Sequence, residues 1–240
     1  MNWKRFVRKF KASWLIWKGS AQVSFSQVGE DLIIHYLFQS LNIAQPSYLD
    51  VGTNHPIAGN NTYFFYLRGS RGVCIEPDPG LFRLIMEQRS LDTHINAGVG
   101  FEAGKTKAEF YVFPHPYTGW NTFSKEESQK RQAETGIAIS QVLDLPLCMI
   151  NDVLEKHFTP HPNLLSLDVE GLDLPILQTI DFDRFKPEVI CVESITFSLS
   201  RTEEKIQDIF DFLESKGYFV YADTHVNTIF CRSDIYKTMK

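Results

Sequence analysis

Cysteine is scarce in this sequence, and no long hydrophobic run is present. The four cysteines, Cys74, Cys148, Cys191 and Cys231, are far apart, and three of them stand in strand-like apolar runs. This spacing suggests neither a disulfide framework nor a zinc site. No apolar run approaches the roughly 20 residues that span a bilayer. We therefore predict a protein of the reducing cytoplasm.

Acidic residues are missing from the chain before Glu30. The same segment is basic, with Lys4, Arg5, Arg8, Lys9, Lys11 and Lys18. It also has apolar residues at helical spacing: Trp3, Phe6, Val7, Phe10, Trp14 and Trp17. Residues 1–22 are thus predicted to form a basic amphipathic helix or arm. Residues 1–18 either make a peripheral contact with the inner membrane surface or a partner, or pack on the protein's own domain or a dimer mate. The oligomeric state stays open.

The rest of the chain has an ordinary globular composition. Of the 240 residues, 43% are hydrophobic and 22% are charged, and the formal net charge is −5. This length can bury one substantial core, so residues 23–240 are predicted to form one domain. The negative net charge argues against a general nucleic-acid binder.

Strand-like and helical patterns alternate along this domain. The predicted strands are Ser47–Val51, Gly72–Glu76, Thr93–Val99, Ala108–Phe113, Leu164–Asp168, Val189–Glu193, Tyr218–Ala222 and Thr228–Arg232. The predicted helices are Gly29–Ser40, Asn61–Arg68, Pro79–Gln88, Ile150–His157, Pro175–Ile180 and Glu203–Lys216. Such alternation predicts an α/β fold whose mostly parallel sheet has helices on both faces.

The last two predicted strands are separated by a short turn, DTHVN, and should therefore pair antiparallel. A mostly parallel, seven-stranded sheet that ends in such a hairpin is expected of a Rossmann-like class I methyltransferase. A nicotinamide-dependent dehydrogenase would end in another parallel strand. Between these regular patterns, residues 114–141 lack a clear one. This segment is interpreted either as a substrate lid or insertion, or as a solvated surface loop.

A glycine turn follows the first predicted strand, in the stretch YLDVGTNHPIAGNNTYFFYL. It is not a dinucleotide fingerprint, because Asn54 stands where the middle glycine belongs. No lysine or arginine is near to bind a pyrophosphate. Asp50 and Glu76, at the ends of neighbouring strands, favour a cationic ligand with a ribose, which describes S-adenosylmethionine. The alternative is that both carboxylates merely cap strand ends.

The sequence resembles the FkbM-type methyltransferases. The resemblance rests on FSQVGEDLIIHYLF (Phe25–Phe38), YLDVGTNHPIAGNNTYFFYLRGSRGVCIEPDPGLF (Tyr48–Phe82), LLSLDVEGLDLPIL (Leu164–Leu177), PEVICVE (Pro187–Glu193) and FLESKGY (Phe212–Tyr218). It implies a Rossmann-like fold, S-adenosylmethionine as methyl donor and O-methylation. The acceptor implied is a hydroxyl of a sugar, glycan, glycolipid or secondary metabolite.

The resemblance also implies a set of cofactor-binding residues. Asp50, Gly52 and Asn54 would form the loop around the methionine part of the cofactor. Glu76, followed by Pro77, would hold the ribose.

Further cofactor contacts are implied outside that loop. Asn96 would lie by the adenine, and Asp168 would border the cofactor as well as the acceptor. Ser26 and Gln27 belong to a block that would close over the cofactor. The neighbouring Glu30 and Asp31 have a simpler interpretation, as first-turn carboxylates that complement a helix dipole.

A sugar hydroxyl is a weak nucleophile and needs a general base. Asp168 and Glu170, in the DVEG turn after a predicted strand, are the leading candidates for that base. His55 is a second candidate, although a lone histidine is more often structural. Asp168, Glu170 and Glu193 could instead bind Mg²⁺ or Ca²⁺ through oxygen, or could cap a helix and accept backbone hydrogen bonds. A metal requirement is therefore left open.

Two other classes of function compete with the methyltransferase. One is a non-catalytic interaction protein that keeps the fold and docks through its basic N-terminal helix. The other is a nicotinamide-dependent oxidoreductase, which the missing middle glycine and the terminal hairpin both oppose.

Overall fold

The computed structural model describes residues 14, 16, 18–200 and 202–237. The helices are α1 Glu30–Ser40, α2 Tyr63–Leu67, α3 Pro79–Gln88, α4 Lys125–Thr135, α5 Ile150–His157, α6 Asp173–Thr179, α7 Gln207–Ser215 and α8 Ser233–Lys237. The strands are β1 Tyr48–Val51, β2 Gly72–Ile75, β3 Thr93–Ile95, β4 Gly98–Gly100, β5 Lys107–Val112, β6 Gln141–Met149, β7 Leu164–Leu167, β8 Val189–Glu193, β9 Tyr218–Asp223 and β10 Asn227–Arg232. A 3₁₀ turn covers Thr118–Trp120.

Most of the predicted basic arm lies outside the described residues, so its docking role stays a prediction. Among the helices that are described, none is both long and apolar enough to cross a membrane.

Seven of the described strands form one sheet in the order β3-β2-β1-β7-β8-β10-β9. The first five strands in that order run parallel, and β10 pairs antiparallel with both β8 and β9. The predicted fold class, a mostly parallel sheet with a C-terminal hairpin, is confirmed. The strand order reverses direction next to β1, and ligands of such sheets bind at this switch point.

The two faces of the sheet bury separate apolar clusters, because successive residues of a strand point to opposite faces. One cluster includes Leu49 and Leu165 and packs against α5, α6 and α7. The other includes Tyr48 and Leu164 and packs against α1 and α2. This is why the central strands read as continuous apolar runs in the sequence.

Two strand predictions differ from the structure. The predicted strand Thr93–Val99 is divided, because the Asn96 side chain donates to the carbonyls of Glu76 and Pro77 and ends β3 there. The second half becomes β4 and joins a separate sheet, ordered β4-β6-β5. Strand β6 is absent from the sequence prediction. Leucines alternate at positions 143, 145 and 147, as in a strand, but the proline at position 146 argues against one.

Residues 114–141, predicted to lack regular structure, contain the helix α4. The helix has a very polar sequence, so hydrophobic periodicity could not reveal it. Its cap was readable, however: Ser124 accepts from the backbone N–H of Glu127, as in a capping box, and Gly136 ends the helix at a φ of 71°. Ser128 and Arg131 of this helix are buried, so part of the segment packs against the domain, and its role as a substrate lid stays a prediction.

A polar network is buried beneath β1 and β2. The Arg89 guanidinium, fully buried, lies 3.3 Å from Asp50 Oδ2 and 2.9 Å from Asp92 Oδ2. Tyr48 donates its hydroxyl to Asp92 at 2.8 Å, and the Asn60 amide donates to Asp50 at 3.2 Å. Each buried carboxylate of the network thus has a cationic partner, as burial of a charge requires.

We expect Arg89→Met to lower the free energy of unfolding by about 3–5 kcal/mol, because two buried carboxylates lose their counterion. Arg83→Met, exposed on α3, the helix that ends just before Arg89, is the matched control and should change this free energy by about 0.5 kcal/mol or less. Urea unfolding of both variants measures the difference. Equal shifts would show that the buried network contributes little.

Candidate active site

A cavity opens at the carboxyl ends of β1, β2 and β7, at the switch point of the large sheet. It encloses about 620 Å³, its open mouth included. Its polar lining comes from the turn after β1, the end of β2 and the DVEG turn after β7. The segment between β5 and α4 closes one side of the cavity with Thr118, Gly119, Asn121, Thr122 and Phe123.

Gly52 brings the turn after β1 against the turn after β7. Its φ is 77°, and a Cβ at this position would lie 1.8 Å from the carbonyl oxygen of Asp168. No other residue fits such a contact without moving the backbone. The N–H groups of Gly52 and Thr53 both donate to the carbonyl of Ile75. Backbone contacts therefore join the turn after β1 to the end of β2 and to the turn after β7.

Glu76 lies on the cavity wall with its carboxylate fixed from two sides. Its Oε2 accepts the N–H of Asn54 at 2.7 Å, and its Oε1 accepts the N–H of Asp78 at 2.8 Å. Burial raises the pKa of Glu76 to about 8, while the two backbone donors act in the opposite direction. Pro77 lines the cavity beside it. The carboxylate oxygens keep lone pairs for a ligand's hydroxyl groups.

Asp168 and Asn54 each have an acceptor oxygen without a hydrogen-bond partner among the described residues. These two atoms, Asp168 Oδ1 and Asn54 Oδ1, are buried. Both residues line the cavity. Burial raises the pKa of Asp168 to about 6, with Asp50 and Glu30 adding to the shift and Arg131 opposing it. Buried acceptors without partners indicate a ligand that donates hydrogen bonds.

Glu170 also lines the cavity, but its carboxylate is already bound. Arg131 Nη2 lies 2.6 Å from Glu170 Oε2, and the Thr122 hydroxyl donates to the Glu170 carbonyl at 2.9 Å. Burial and the neighbouring Asp168 raise the pKa of Glu170 to about 8, and Arg131 acts against both. Glu170 has a φ of 58°, which the following Gly171 and these contacts maintain.

Glu193, at the end of β8, completes a cluster of three carboxylates. Asp168, Glu170 and Glu193 each offer an oxygen, and these oxygens lie within 4.8 Å of one another. Such a set of oxygens suits a hard cation such as Mg²⁺. Burial raises the pKa of Glu193, and Glu170 and Asp168 add to this effect. A metal ion here would compete with the guanidinium of Arg131 for Glu170.

Arg131 is the residue of the site that the sequence did not suggest. Its side chain is 2% exposed, donates to the carbonyl of Trp120 at 3.0 Å and lies over the ring of Phe197 at 4.9 Å. The capping box before α4 could have revealed the helix. No sequence signal distinguishes this buried arginine from the solvated charges around it.

Several predicted site residues lie outside the cavity lining. The Asp50 carboxylate belongs to the Arg89 network and reaches the loop through Asn60 and Thr62. The Asn96 amide supports the backbone of Glu76 rather than lining the cavity.

His55 is exposed, and its Nδ1 accepts the N–H groups of Ile57 and Ala58 at 3.1 and 3.0 Å. This histidine thus closes a turn that directly follows Asn54.

The block before α1 forms a compact polar turn. Ser26 donates to the fully buried Asp31 at 3.0 Å, and Gln27 is exposed. Glu30 accepts hydrogen bonds from Thr224 and Asn227 in the terminal hairpin. Glu30 and Asp31 therefore join the N-terminal turn to the domain, in addition to any effect on the helix dipole.

We expect Arg131→Met to lower the free energy of unfolding by about 3 kcal/mol, because a largely buried Glu170 loses its counterion. The double variant Arg131→Met with Glu170→Gln should regain most of that loss. Lys125→Met, exposed on the same helix, is the control. Thermal and urea unfolding provide the measurements. A double variant no more stable than the single one would refute the pairing.

Comparison with known proteins matches residues 50–220 to the methyltransferase FkbM domain. Among curated proteins, no match is found. A TehB-like SAM-dependent methyltransferase from Corynebacterium glutamicum is a similar solved structure, with 10% identity, a TM-score of 0.42, and coverage of 95% of this chain and 99% of that one. A putative RNA methyltransferase from Pyrococcus horikoshii has 11% identity, a TM-score of 0.41, and coverage of 85% and 84%.

A third solved structure is a 1,6-didemethyltoxoflavin-N1-methyltransferase from Burkholderia thailandensis with bound S-adenosylhomocysteine. It has 7% identity and a TM-score of 0.41, and the match covers 95% of this chain and 84% of that one. The family match extends from the end of β1 into β9 and includes the turns that build the cavity. The chain therefore belongs to the family of the methyltransferase FkbM domain, as its sequence predicted.

Proposed function

We propose that this methyltransferase uses S-adenosylmethionine to methylate a hydroxyl oxygen of a sugar, glycan, glycolipid or secondary metabolite. Its assignment as a methyltransferase follows from the family. The hydroxyl acceptor is our inference from one observation. Asp168, whose Oδ1 is buried and has no partner among the described residues, lines the same cavity as Glu76, which offers acceptors for a ribose.

The cavity suits the methyl donor chemically. S-adenosylmethionine presents an ammonium group and two ribose hydroxyls, all hydrogen-bond donors, and a cationic sulfonium. Glu76 would accept from the ribose hydroxyls, and Asn54 Oδ1 would accept from the ammonium group. The negative charge of Asp168 favours the sulfonium nearby. When bound, this cofactor supplies a methyl group that the sulfonium already activates for transfer.

Asp168 is our assignment for the general base. Its position is fixed, because its own carbonyl packs against Gly52. An acceptor hydroxyl that donates to Asp168 Oδ1 would lose its proton to that atom as the oxygen–methyl bond forms and the sulfur–methyl bond breaks, with S-adenosylhomocysteine as the leaving group. Orienting the oxygen in line with the methyl group provides much of the acceleration. Glu170, held by Arg131, would position the DVEG turn and the acceptor.

The remaining predicted residues take supporting roles in this proposal. Asp50 would hold the cofactor loop through Asn60, and Asn96 would hold Glu76 in place. Ser26 shapes the turn before α1 through its hydrogen bond to Asp31, and Gln27 beside it would contact the cofactor from that turn. His55 is a poorer base than Asp168, since its Nδ1 is engaged in a turn and its ring is exposed.

Calorimetric titration with S-adenosylmethionine tests the cofactor site. We expect Glu76→Gln to weaken binding by about tenfold, because one of the two oxygens that would accept from the ribose becomes an NH₂ donor. Glu87→Gln, exposed on α3, is the matched control, and NAD is the control ligand. Wild-type affinity in Glu76→Gln would contradict the assignment of the ribose site.

The assignment of Asp168 as the base is tested by measuring kcat. The acceptor is first identified by screening sugars, glycolipids and hydroxylated metabolites for methyl incorporation. Asp168→Asn should lower kcat by roughly 10²–10⁴-fold, the range of general base catalysis, and should change donor affinity only a few-fold. Unchanged turnover in this variant would exclude Asp168 as the base.

The pH dependence of kcat/KM gives a separate test. The pKa of Asp168 is raised to about 6, and only the ionised carboxylate can accept a proton. Activity should therefore be full well above this pH and should fall as the pH drops through about 6. The residual activity of Asp168→Asn should lack this decline. A decline of the same size in both proteins would assign the titration to another group.

A further inference from the structure

Apolar as well as polar side chains line the cavity. Its apolar lining includes Leu81, Ala97, Val99, Phe110, Phe123 and Ile176, and its polar lining includes Asn54, Glu76 and Asp168. S-adenosylmethionine likewise has charges and hydroxyls in one half and a flat adenine in the other. With the polar half bound as proposed above, the adenine would contact the apolar lining.

Phe123 is the member of this apolar lining that comes from the insertion between β5 and β6. Its ring fills the space where Gly98 would carry a side chain. A Cβ on Gly98 would lie 2.3 Å from Cε2 and 2.4 Å from Cζ of the phenylalanine. The ring also packs on Phe110, with centroids 4.7 Å apart at an angle of 44°. Gly98 and Phe110 thus hold the ring at a defined place in the wall.

The residues just before Phe123 connect this wall to the polar parts of the site. The Asn121 amide donates to Asp78, the N-cap of α3, at 3.4 Å. The Thr122 hydroxyl donates to the carbonyl of Glu170. One short segment of the insertion therefore contacts the loop after Glu76 and the DVEG turn, and its Phe123 belongs to the apolar lining of the cavity.

We propose that Phe123 is a cofactor-binding residue that forms one wall of the adenine site, so that the insertion is part of the donor site as well as a cover for the acceptor. This inference rests on S-adenosylmethionine being the donor. This arrangement also explains why position 98 is a glycine, since any side chain there would displace the Phe123 ring.

The role of Phe123 is tested by calorimetric measurement of the affinity of the full chain for three ligands: S-adenosylmethionine, S-adenosylhomocysteine and 5′-methylthioadenosine. The last has the adenine and ribose but no amino-acid part. Phe123→Ala should weaken all three by a similar factor, about tenfold, which is within the range for loss of an aromatic contact to a base. Phe123→Leu, which keeps an apolar side chain, should lose less.

Phe101→Ala is the matched control, because Phe101 is a partly exposed phenylalanine just beyond β4. It should bind all three ligands as the wild type does. Gly98→Ala is a second route to the same defect, since it displaces the Phe123 ring without removing it. It should weaken the same ligands while the protein still unfolds cooperatively.

The possible failures are distinguishable. Wild-type affinity in Phe123→Ala would overturn the inference and leave the proposed function intact. A loss confined to ligands with the amino-acid part would also overturn it, because the adenine would then lie elsewhere. Absence of binding by the wild-type chain would overturn the proposed donor, and the adenine wall with it.

Discussion

The contact between Gly52 and the carbonyl of Asp168 is the constraint on which the site depends. It brings the turn after β1 against the turn after β7, at the point where the strand order reverses. Both turns also have residues in left-handed conformations, Asn54 and Glu170, which place their neighbours at the cavity. A side chain at position 52 would separate the two turns, and Asn54, Glu76 and Asp168 would no longer line one cavity.

Buried charge is the second feature that organises the molecule. Two arginines, each almost without exposure, pair with carboxylates of the site. Arg89 contacts both Asp50 and Asp92, while Arg131 binds Glu170 in the DVEG turn. Asp168 keeps an oxygen without a partner among the described residues. Because these arginines engage Asp50 and Glu170, Asp168 is the carboxylate that we propose as the base.

The insertion between β5 and β6 is an integral part of this arrangement. Its 3₁₀ turn and the residues that follow line the cavity, and its helix α4 provides Arg131. Through Asn121 and Thr122 it contacts both the α3 cap and the DVEG turn. A change in this segment would therefore alter the cavity wall and both of these contacts together.

The sequence by itself determined the parallel sheet, its terminal hairpin, the glycine turn after β1 and the cap at Asp78. These features depend on local periodicity, on backbone conformations and on hydrogen bonds within a few residues. Only the tertiary structure decided which carboxylates reach the cavity, because Asp50, Glu76, Asp168 and Glu170 have equivalent positions at strand ends in the sequence. Two of these carboxylates are engaged by arginines that are distant in sequence. Arg89 is 39 residues from Asp50, and Arg131 is 39 residues from Glu170. Contacts over such distances are set by packing of the whole domain, which no local pattern records.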